Sequence, residues 1–136
     1  MDKKIIVWVG ALLNDGHDKF LFLKRVNGSS WAGGRWQLPG GKMEWGESVM
    51  DTLNREINEE TGGRIINPAF FGVYTVQVNA KGSDFHAVML VYKGNYSGKG
   101  INMSKDHDDY AWMSLKEAVG ADLMEGLGEF ISSYIE

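Results

Sequence analysis

The sequence contains no cysteine and has no excess of basic residues. The absence of cysteine excludes disulfide bonds and metal sites built on thiolates. A total of 18 acidic residues against 14 basic ones gives a formal net charge of −4, so the chain has no broad basic surface. We therefore expect no nucleic-acid partner. A polyphosphate ligand would be repelled by this net charge, and its binding would need a metal ion and a few local cations.

Long apolar runs and low-complexity tracts are also missing. The apolar run near the start, within MDKKIIVWVGALL, covers about nine residues, which is too short for a membrane span. It also lacks a small-residue cleavage site, so we interpret it as a strand and expect a cytoplasmic protein with no membrane partner. With 136 residues, 43% of them hydrophobic, the chain is predicted to form a single domain over residues 1–136.

Strand patterns precede and follow one long helical segment. Residues 4–13 are mostly apolar, a turn signal follows at residues 14–16, and residues 19–26 are predicted to complete a hairpin. Residues 64–80, 85–93 and 110–113 are predicted as further strands, with a polar loop over residues 94–107. Ser114 and Glu117 have the spacing of a capping box that opens a short helix. Residues 122–135 are predicted as a C-terminal helix whose pattern is interrupted by Gly126 and Gly128.

A helix is predicted over residues 47–61, where straight-chain residues predominate and a Gly-Gly pair follows. On a helical wheel, Glu60 projects about 35° and Glu56 about 75° from the centre of the apolar side. Carboxylates so close to a buried face repel each other and lose hydration. A divalent cation between them would relieve both costs, and oxygen ligands favour Mg²⁺ or Mn²⁺ over zinc. The alternative is an acidic surface helix with an Arg55–Glu59 ion pair.

Positions in this region follow the spacing G-x5-E-x7-R-E-U-x-E-E-x-G, where U is a bulky apolar residue. They are Gly41, Glu47, Arg55, Glu56, Ile57, Glu59, Glu60 and Gly62. The spacing resembles the signature of the Nudix hydrolases, the MutT-like enzymes that cleave nucleoside diphosphates linked to another group. The resemblance implies a Nudix-type α/β/α sandwich around a mixed β-sheet. The family pattern ends on one more bulky apolar residue, where this chain has Gly63, and this difference predicts weaker packing at the helix end.

The resemblance also implies roles for the motif residues. In similar proteins, divalent metal ions are held by groups that correspond here to the Gly41 carbonyl and the carboxylates of Glu56, Glu59 and Glu60. Glu47 and Arg55 would tie the loop to the helix and keep these carboxylates in place. The metal would neutralise the diphosphate and activate a water, whose proton would pass to Glu56, to Glu59 or to a base outside the helix.

Three aspartates and a histidine are concentrated in the segment KDHDDYAW, residues 105–112. Similar proteins draw a further metal ligand or a base from this loop. The local likeness is to the GDP-mannose mannosyl hydrolase branch, whose metal ligand and catalytic histidine would correspond to Asp106 and His107. A histidine with its ordinary pKa, near 6.5, would suit proton removal at neutral pH. The alternative is a solvated acidic loop.

Cations and tryptophans near the motif are candidates for substrate binding. Lys24, Arg25 and Arg35 could grip a phosphate, although each could equally be a solvated strand or loop residue. Trp31 and Trp45 are candidates for stacking on a nucleobase, whereas packing is the alternative role for both.

Three substrate hypotheses stay open at this point. A (d)NTP or modified (d)NTP is favoured by the small size of the chain. A nucleotide sugar is favoured by the loop of residues 105–112, and a regulatory domain that binds nucleotides without turnover is the third hypothesis. The dinucleoside-polyphosphate and ADP-ribose branches carry a tyrosine or proline about 16 residues after the motif, and residues 77–79 of this chain contain neither. Either a monomer or a homodimer is compatible with the sequence.

Overall fold

One mixed β-sheet runs through the molecule, and helices cover both of its faces. The structure, a computed structural model, describes residues 3–29, 31–80 and 82–135. Its strands are β1 (Lys3–Asn14), β2 (Phe20–Arg25), β3 (Trp36–Gln37), β4 (Gly40–Lys42), β5 (Arg64–Ala80), β6 (Ser83–Ser97) and β7 (His107–Met113). Its helices are α1 (Val49–Thr61), α2 (Leu115–Val119) and α3 (Leu127–Ser132). No helix in the described ranges is long and apolar enough to cross a membrane.

The predicted hairpin at the start of the chain is confirmed. The Asn14 side chain closes the turn: its oxygen accepts from the Gly16 amide at 2.7 Å, and its amide donates to the His17 carbonyl at 2.8 Å. Gly16 has φ of 95°, a backbone conformation that glycine adopts without strain. The turn therefore brings β2 back beside β1, with Asn14 paired to Phe20.

The sheet consists of two parts that diverge beyond this hairpin. In the β1 part, β6 runs parallel to β1 over its whole length, β5 lies outside β6, and β4 pairs with β1 around Gly10 and Gly40. In the β2 part, β2 lies between β3 and β7, both antiparallel to it. The parallel and antiparallel pairings confirm the predicted mixed sheet.

Alternate residues of β1 face opposite layers of the molecule, as the two-residue period of a strand requires. Val9, Ala11 and Leu13 pack against Leu53 and Ile57 of α1. The opposite face, with Trp8 and Leu12, packs against a second cluster that contains buried residues of α2 and α3: Ala118, Leu127, Phe130 and Ile131. The predicted α/β/α sandwich is therefore confirmed.

Local capping explains where α1 lies. Ser48 is its N-cap, and the Ser48 hydroxyl accepts from the Asp51 amide at 3.0 Å while the Asp51 carboxylate accepts from the Ser48 amide. Gly62 ends the helix with φ of 79°. The capping box predicted for Ser114 and Glu117 is likewise present at the start of α2. Both helix starts thus follow from short polar patterns.

The prediction of one helix over residues 122–135 is wrong in its first part. Gly126 adopts φ of 81° immediately before α3, which interrupts helical geometry. The preceding backbone is paired elsewhere: the Trp36 amide donates to the Asp122 carbonyl, and the Met124 amide donates to the Trp36 carbonyl, each at 2.9 Å. The loop predicted over residues 94–107 is also shorter, because β6 continues to Ser97 in register with β5.

The glycine that departs from the family motif is accommodated by an aromatic ring. Gly63 is buried, and a Cβ at this position would collide with the Tyr96 ring and with the Ser97 carbonyl. Tyr96 packs edge-on against Trp112 and donates from its hydroxyl to the Gly100 carbonyl at 2.7 Å. The expectation of weak packing at the end of α1 is therefore wrong, because Tyr96 fills the space that a larger residue would take.

A bulky residue at this position should lower stability. We expect Gly63→Ile to reduce the free energy of unfolding by about 1–3 kcal/mol, the typical cost of overpacking. Urea denaturation of the metal-free protein measures the change. The double variant Gly63→Ile/Tyr96→Ala should lose less stability than the sum of the losses in the two single variants. The reason is that removal of the Tyr96 ring makes room for the isoleucine side chain. If the two losses were simply additive, Tyr96 would not occupy the space that a larger residue at position 63 needs.

Candidate active site

Helix α1 directs two of its three clustered glutamates into a pocket and turns the third towards solvent. The side chains of Glu60 and Glu56 are 9% and 14% exposed, whereas that of Glu59 is 56% exposed. The helix is anchored by Leu53 and Ile57, which are completely buried beneath it. The carboxylates nearest this apolar side are consequently those that lose most of their hydration.

Glu60 is a buried carboxylate with one fixed oxygen. Its Oε1 accepts from the Gly40 amide at 2.7 Å. Burial raises the pKa of Glu60 to about 8, and the nearby charges of Glu56 and Asp106 add to this rise. Burial also raises the pKa of Glu56, against the opposing effect of Arg55. Two neighbouring carboxylates are thus destabilised in their ionised forms, as the sequence predicts.

Arg55 binds the carboxylates of the motif together from the solvent side. It donates to Glu47 at 2.7 and 2.9 Å, to Glu56 at 2.7 Å and to Glu59 at 3.3 Å. A further bond at 3.2 Å reaches the Lys42 carbonyl of β4. The hydrogen bond from Arg55 lowers the pKa of Glu47 to about 2. The planar guanidinium group of Arg55 therefore joins the loop before α1 to the helix itself.

The two glycines of β4 allow close approach between the strand and the carboxylates. A Cβ at Gly41 would overlap the Glu56 carboxylate, and a Cβ at Gly40 would overlap the backbone of Val9 and Gly10. Only glycine leaves this space open. The Gly41 backbone therefore lies directly against Glu56.

The pocket has a volume of about 330 Å³ and combines residues from both parts of the sheet. The β1 part and α1 contribute Ile6, Trp8, Gly40, Gly41, Lys42, Glu56, Glu60, Ala80 and Phe85. The β2 part and its adjoining loops contribute Arg25, Trp31, Gln37 and Asp106. Six residues predicted from the sequence are brought together here: Gly41, Glu56, Glu60, Asp106, Arg25 and Trp31.

Other predicted site residues lie away from this pocket. Trp45 is fully exposed at the tip of a turn, because Gly46 has φ of 87° and Glu47 closes the turn onto Glu44. Lys24 is not among the pocket residues, since neighbouring strand residues point to opposite faces and Arg25 takes the inward position. Arg35 instead pairs with Asp122 at 3.3 Å, beside α3. None of the three lines this pocket, so their assignment to substrate binding stays a prediction.

His107, which the sequence suggested as a base with an ordinary pKa, is a buried residue. Its side chain has no exposed surface, its Nε2 lies 2.7 Å from the Gln37 amide nitrogen, and its Nδ1 lies 3.6 Å from Glu60 Oε2. Burial, with the nearby charge of Arg25, lowers the pKa of His107 to about 4. The expectation of an ordinary histidine pKa is therefore wrong, and the ring is enclosed behind Glu60.

Comparison with known proteins decides the family. A model of the NUDIX domain matches residues 5–134. The chain belongs to the Nudix hydrolase family. Members of this family act on phosphoric anhydride bonds, so the chain is a hydrolase of that class. The resemblance drawn from the motif alone is thereby confirmed.

Several relatives of this Nudix hydrolase align with it over most of the chain. It is 32% identical over 117 residues to the Nudix hydrolase YvcI of Bacillus subtilis, which covers 84% of this chain and 70% of the relative. It is 27% identical to the nucleoside triphosphatase NudI of Escherichia coli, covering 81% of this chain and 82% of NudI. The crystal structure of a MutT protein from Methanosarcina mazei superposes with a TM-score of 0.81 and 28% identity, over 98% of this chain and 95% of the other.

Nudix hydrolases generally use divalent metal cations, and the donors in this pocket fit such an ion. In the residues that the structure describes, no three Asp, Glu or His side chains are close enough together to enclose a metal. The pocket nevertheless presents two poorly hydrated carboxylates, Glu56 and Glu60, and the open backbone at Gly41. An oxygen-only donor set of this kind suits Mg²⁺ or Mn²⁺, whose charge would offset the repulsion between the two carboxylates.

Sequence reasoning missed several pocket residues of this Nudix hydrolase. Ile6 and Trp8 were detectable in principle, because the alternation of β1 places them on one face. Gln37 carries no local signal, since its partner His107 is far away in the sequence. Phe85 and Ala80 reach the pocket through the pairing of β6 with β1 and β5, which the sequence pattern does not specify.

Proposed function

We propose that this Nudix hydrolase is a Mg²⁺- or Mn²⁺-dependent pyrophosphohydrolase of nucleoside triphosphates or modified nucleoside triphosphates. The observation that carries the proposal is the composition of one pocket. Glu56, Glu60 and Gly41 lie on one side of it, and Arg25 and Trp31 lie on the other. A triphosphate with a base needs both sets of groups. The name of NudI, a nucleoside triphosphatase, supports the same substrate class.

Each side of the pocket has a proposed role. Glu56, Glu60, the Gly41 carbonyl and Asp106 would hold the metal, which supplies charge neutralisation and a more acidic water when bound. Arg25 would bind a phosphate, since its buried Nε has no hydrogen-bond partner among the described residues. The phosphate oxygens would provide that partner, as charge-assisted bonds to a guanidinium are strong.

The remaining step is transfer of a proton from the attacking water. We assign it to a helix carboxylate, either Glu56 in the pocket or Glu59 on the solvent-exposed side of α1. His107 is fully enclosed and already contacts Gln37, so it has no route to a water beside the substrate. Attack on phosphorus breaks one anhydride bond and gives a nucleoside monophosphate and pyrophosphate.

The two other substrate hypotheses have less support. The nucleotide-sugar hypothesis depended on Asp106 as a ligand and His107 as a base, and only Asp106 lies in the pocket. A regulatory domain without turnover does not need the complete set of motif carboxylates that this chain retains. Both hypotheses become outcomes of the experiment below.

A panel of nucleotides incubated with Mg²⁺, with products identified by phosphorus NMR, tests the proposed function. We expect (d)NTPs to give a nucleoside monophosphate and pyrophosphate, and nucleotide sugars to be cleaved far more slowly. The same panel with EDTA is the control and should give no products. Preferential cleavage of a nucleotide sugar, or tight binding by calorimetry with no cleavage at all, would replace the proposal with one of the alternatives.

Replacement of the two candidate stacking residues should have unequal effects. Trp31 lines the pocket, so we expect Trp31→Ala to raise KM by about 5- to 150-fold, equivalent to about 1–3 kcal/mol of base stacking. The change in kcat should be smaller, because stacking is present in both the ground and transition states. Trp45→Ala is the matched control and should leave both parameters unchanged. Steady-state kinetics that showed the opposite order would exclude Trp31 from base binding.

A further inference from the structure

A buried series of polar contacts connects β3, β7, α1 and β4 in the wall of the pocket. The Gln37 amide nitrogen lies 2.7 Å from His107 Nε2, and His107 Nδ1 lies 3.6 Å from Glu60 Oε2. The other oxygen of Glu60 accepts from the Gly40 amide at 2.7 Å. Gln37, His107 and Glu60 are all buried. Both oxygens of the Glu60 carboxylate therefore face donors supplied by the protein.

The contact with Gln37 selects one form of the His107 ring. An amide nitrogen can only donate, so His107 Nε2 must accept and carry no proton. The ring hydrogen of a neutral imidazole then lies on Nδ1. This places an N–H group opposite the Glu60 carboxylate. When Glu60 is ionised, at a pH above about 8 or beside a bound cation, the reverse arrangement would set the Nδ1 lone pair against a carboxylate oxygen, which is electrostatically unfavourable.

The Nδ1 group is also short of a hydrogen bond. It is buried, and no partner lies within hydrogen-bond distance among the described residues. Its separation from Glu60 Oε2, 3.6 Å, exceeds hydrogen-bond length, so the contact is an electrostatic attraction rather than a formed bond. Because a buried unpaired donor is costly, a small movement of Glu60 towards the ring is favoured.

We infer that His107, oriented by Gln37, is a positioning residue that holds Glu60 in place for metal binding. This inference rests on the proposed function, since it assigns Glu60 to the metal. Glu60 would then be bonded at one oxygen to the Gly40 amide and attracted at the other by the His107 ring. Partners that orient a ligating carboxylate typically affect metal affinity by 10- to 100-fold. Gln37 would act one contact further away, by deciding which nitrogen of His107 carries the proton.

Two replacements of His107 separate positioning from bulk structure. An asparagine amide can occupy the place of Nδ1, whereas the longer glutamine reaches the place of Nε2. We therefore expect His107→Asn to retain Mn²⁺ affinity within about 3-fold and His107→Gln to lose about 10- to 100-fold. Gln37→Leu should lose affinity to a similar extent. His86→Asn, at an exposed position on β6, is the matched control and should bind as the wild type does.

The measurements are isothermal titration of Mn²⁺ and nitrogen-15 NMR of the histidine rings in the metal-free protein. We expect the His107 signal to report a proton on Nδ1 in the wild type and a shift towards Nε2 in Gln37→Leu. Variants at His17 and His86 assign the other two histidine signals. Melting temperatures show whether each variant is folded.

The outcomes separate this inference from the proposed function. A wild type that binds Mn²⁺ and hydrolyses nucleotides but carries its His107 proton on Nε2 would overturn the inference alone. Equal Mn²⁺ affinity in His107→Asn, His107→Gln and the wild type would also overturn it, and equally lowered melting temperatures would then mark His107 as structural. If His107→Gln does not fold, Gln37→Leu decides: unchanged tautomer and affinity reject the inference. Failure of the wild type to hydrolyse any nucleotide would reject the proposed function instead.

Discussion

Replacement of Glu60 by glutamine should abolish most of the hydrolase activity without harming the metal-free fold. A ligating carboxylate contributes several kcal/mol to stabilising charge in the transition state, so we expect kcat/KM to fall by about 10²- to 10³-fold. Glutamine keeps an oxygen that can accept from the Gly40 amide, the bond that Glu60 makes at 2.7 Å. It also removes a charge from a position where burial raises the pKa of the carboxyl to about 8.

The stability of the metal-free variant distinguishes the two possible roles of Glu60. The buried carboxyl must either take up a proton or carry a charge, and glutamine does neither. We expect this gain to outweigh the contact between the glutamine amide and His107, so the free energy of unfolding in urea should equal or exceed that of the wild type. Mg²⁺ or Mn²⁺ should raise the melting temperature of the wild type, because the ion binds the folded state. The same ion should raise the melting temperature of Glu60→Gln much less. Glu125→Gln is the control, since Glu125 is exposed and lies outside the pocket. A large loss of stability in metal-free Glu60→Gln would show that Glu60 is a structural residue.

A lysine in place of Arg55 should be nearly as damaging, although the charge is kept. Arg55 bonds to Glu47, Glu56 and Glu59 and to the Lys42 carbonyl, which a single ammonium group cannot reach together. Glu56 would lose its orientation, and the loop before α1 would lose its tie to the helix. We expect kcat/KM to fall by about 10- to 100-fold, the range typical of residues that orient metal ligands.

Kinetics and metal titration together test the role of Arg55. Mn²⁺ affinity should fall in Arg55→Lys in proportion to kcat/KM, because both depend on Glu56. Arg64→Lys makes the same substitution at an exposed site at the start of β5 and should change neither. Full activity in Arg55→Lys would mean that a positive charge is enough to orient the carboxylates and that the several hydrogen bonds of the guanidinium group are not needed.

The sequence predicted the centre of the site well because that centre is local. The three clustered glutamates, Glu56, Glu59 and Glu60, lie within about one and a half turns of α1, so a helical wheel fixes their relative directions. The wheel placed Glu60 nearer the apolar side than Glu56, and the exposed fractions of these side chains, 9% and 14%, follow that order. The capping residues of α1 and α2 were predictable for the same reason.

The residues that the structure places differently depended on turn geometry or on contacts between distant segments. Trp45 is close to the motif in sequence, yet a tight turn at Gly46 directs it into solvent. Arg35 is held away from the pocket by its ion pair with Asp122, and His107 contacts Gln37 on another strand. No periodicity in the sequence encodes such pairings, since they arise from the order of strands in the sheet.

The position of the pocket has a consequence for how binding and stability are related. Between the β1 and β2 parts of the sheet, strands β1 and β2 pair directly at Asn14 and Phe20, next to the hairpin turn. The pocket takes Glu56 and Glu60 from one part and Arg25 and Asp106 from the other. A nucleotide that contacts both parts would link them across the pocket. Its binding free energy would then add to the interactions that hold the two parts of the sheet in position. Substitutions that weaken the contacts between the two parts should therefore lower the binding affinity of all nucleotides to the same extent, whatever base they carry.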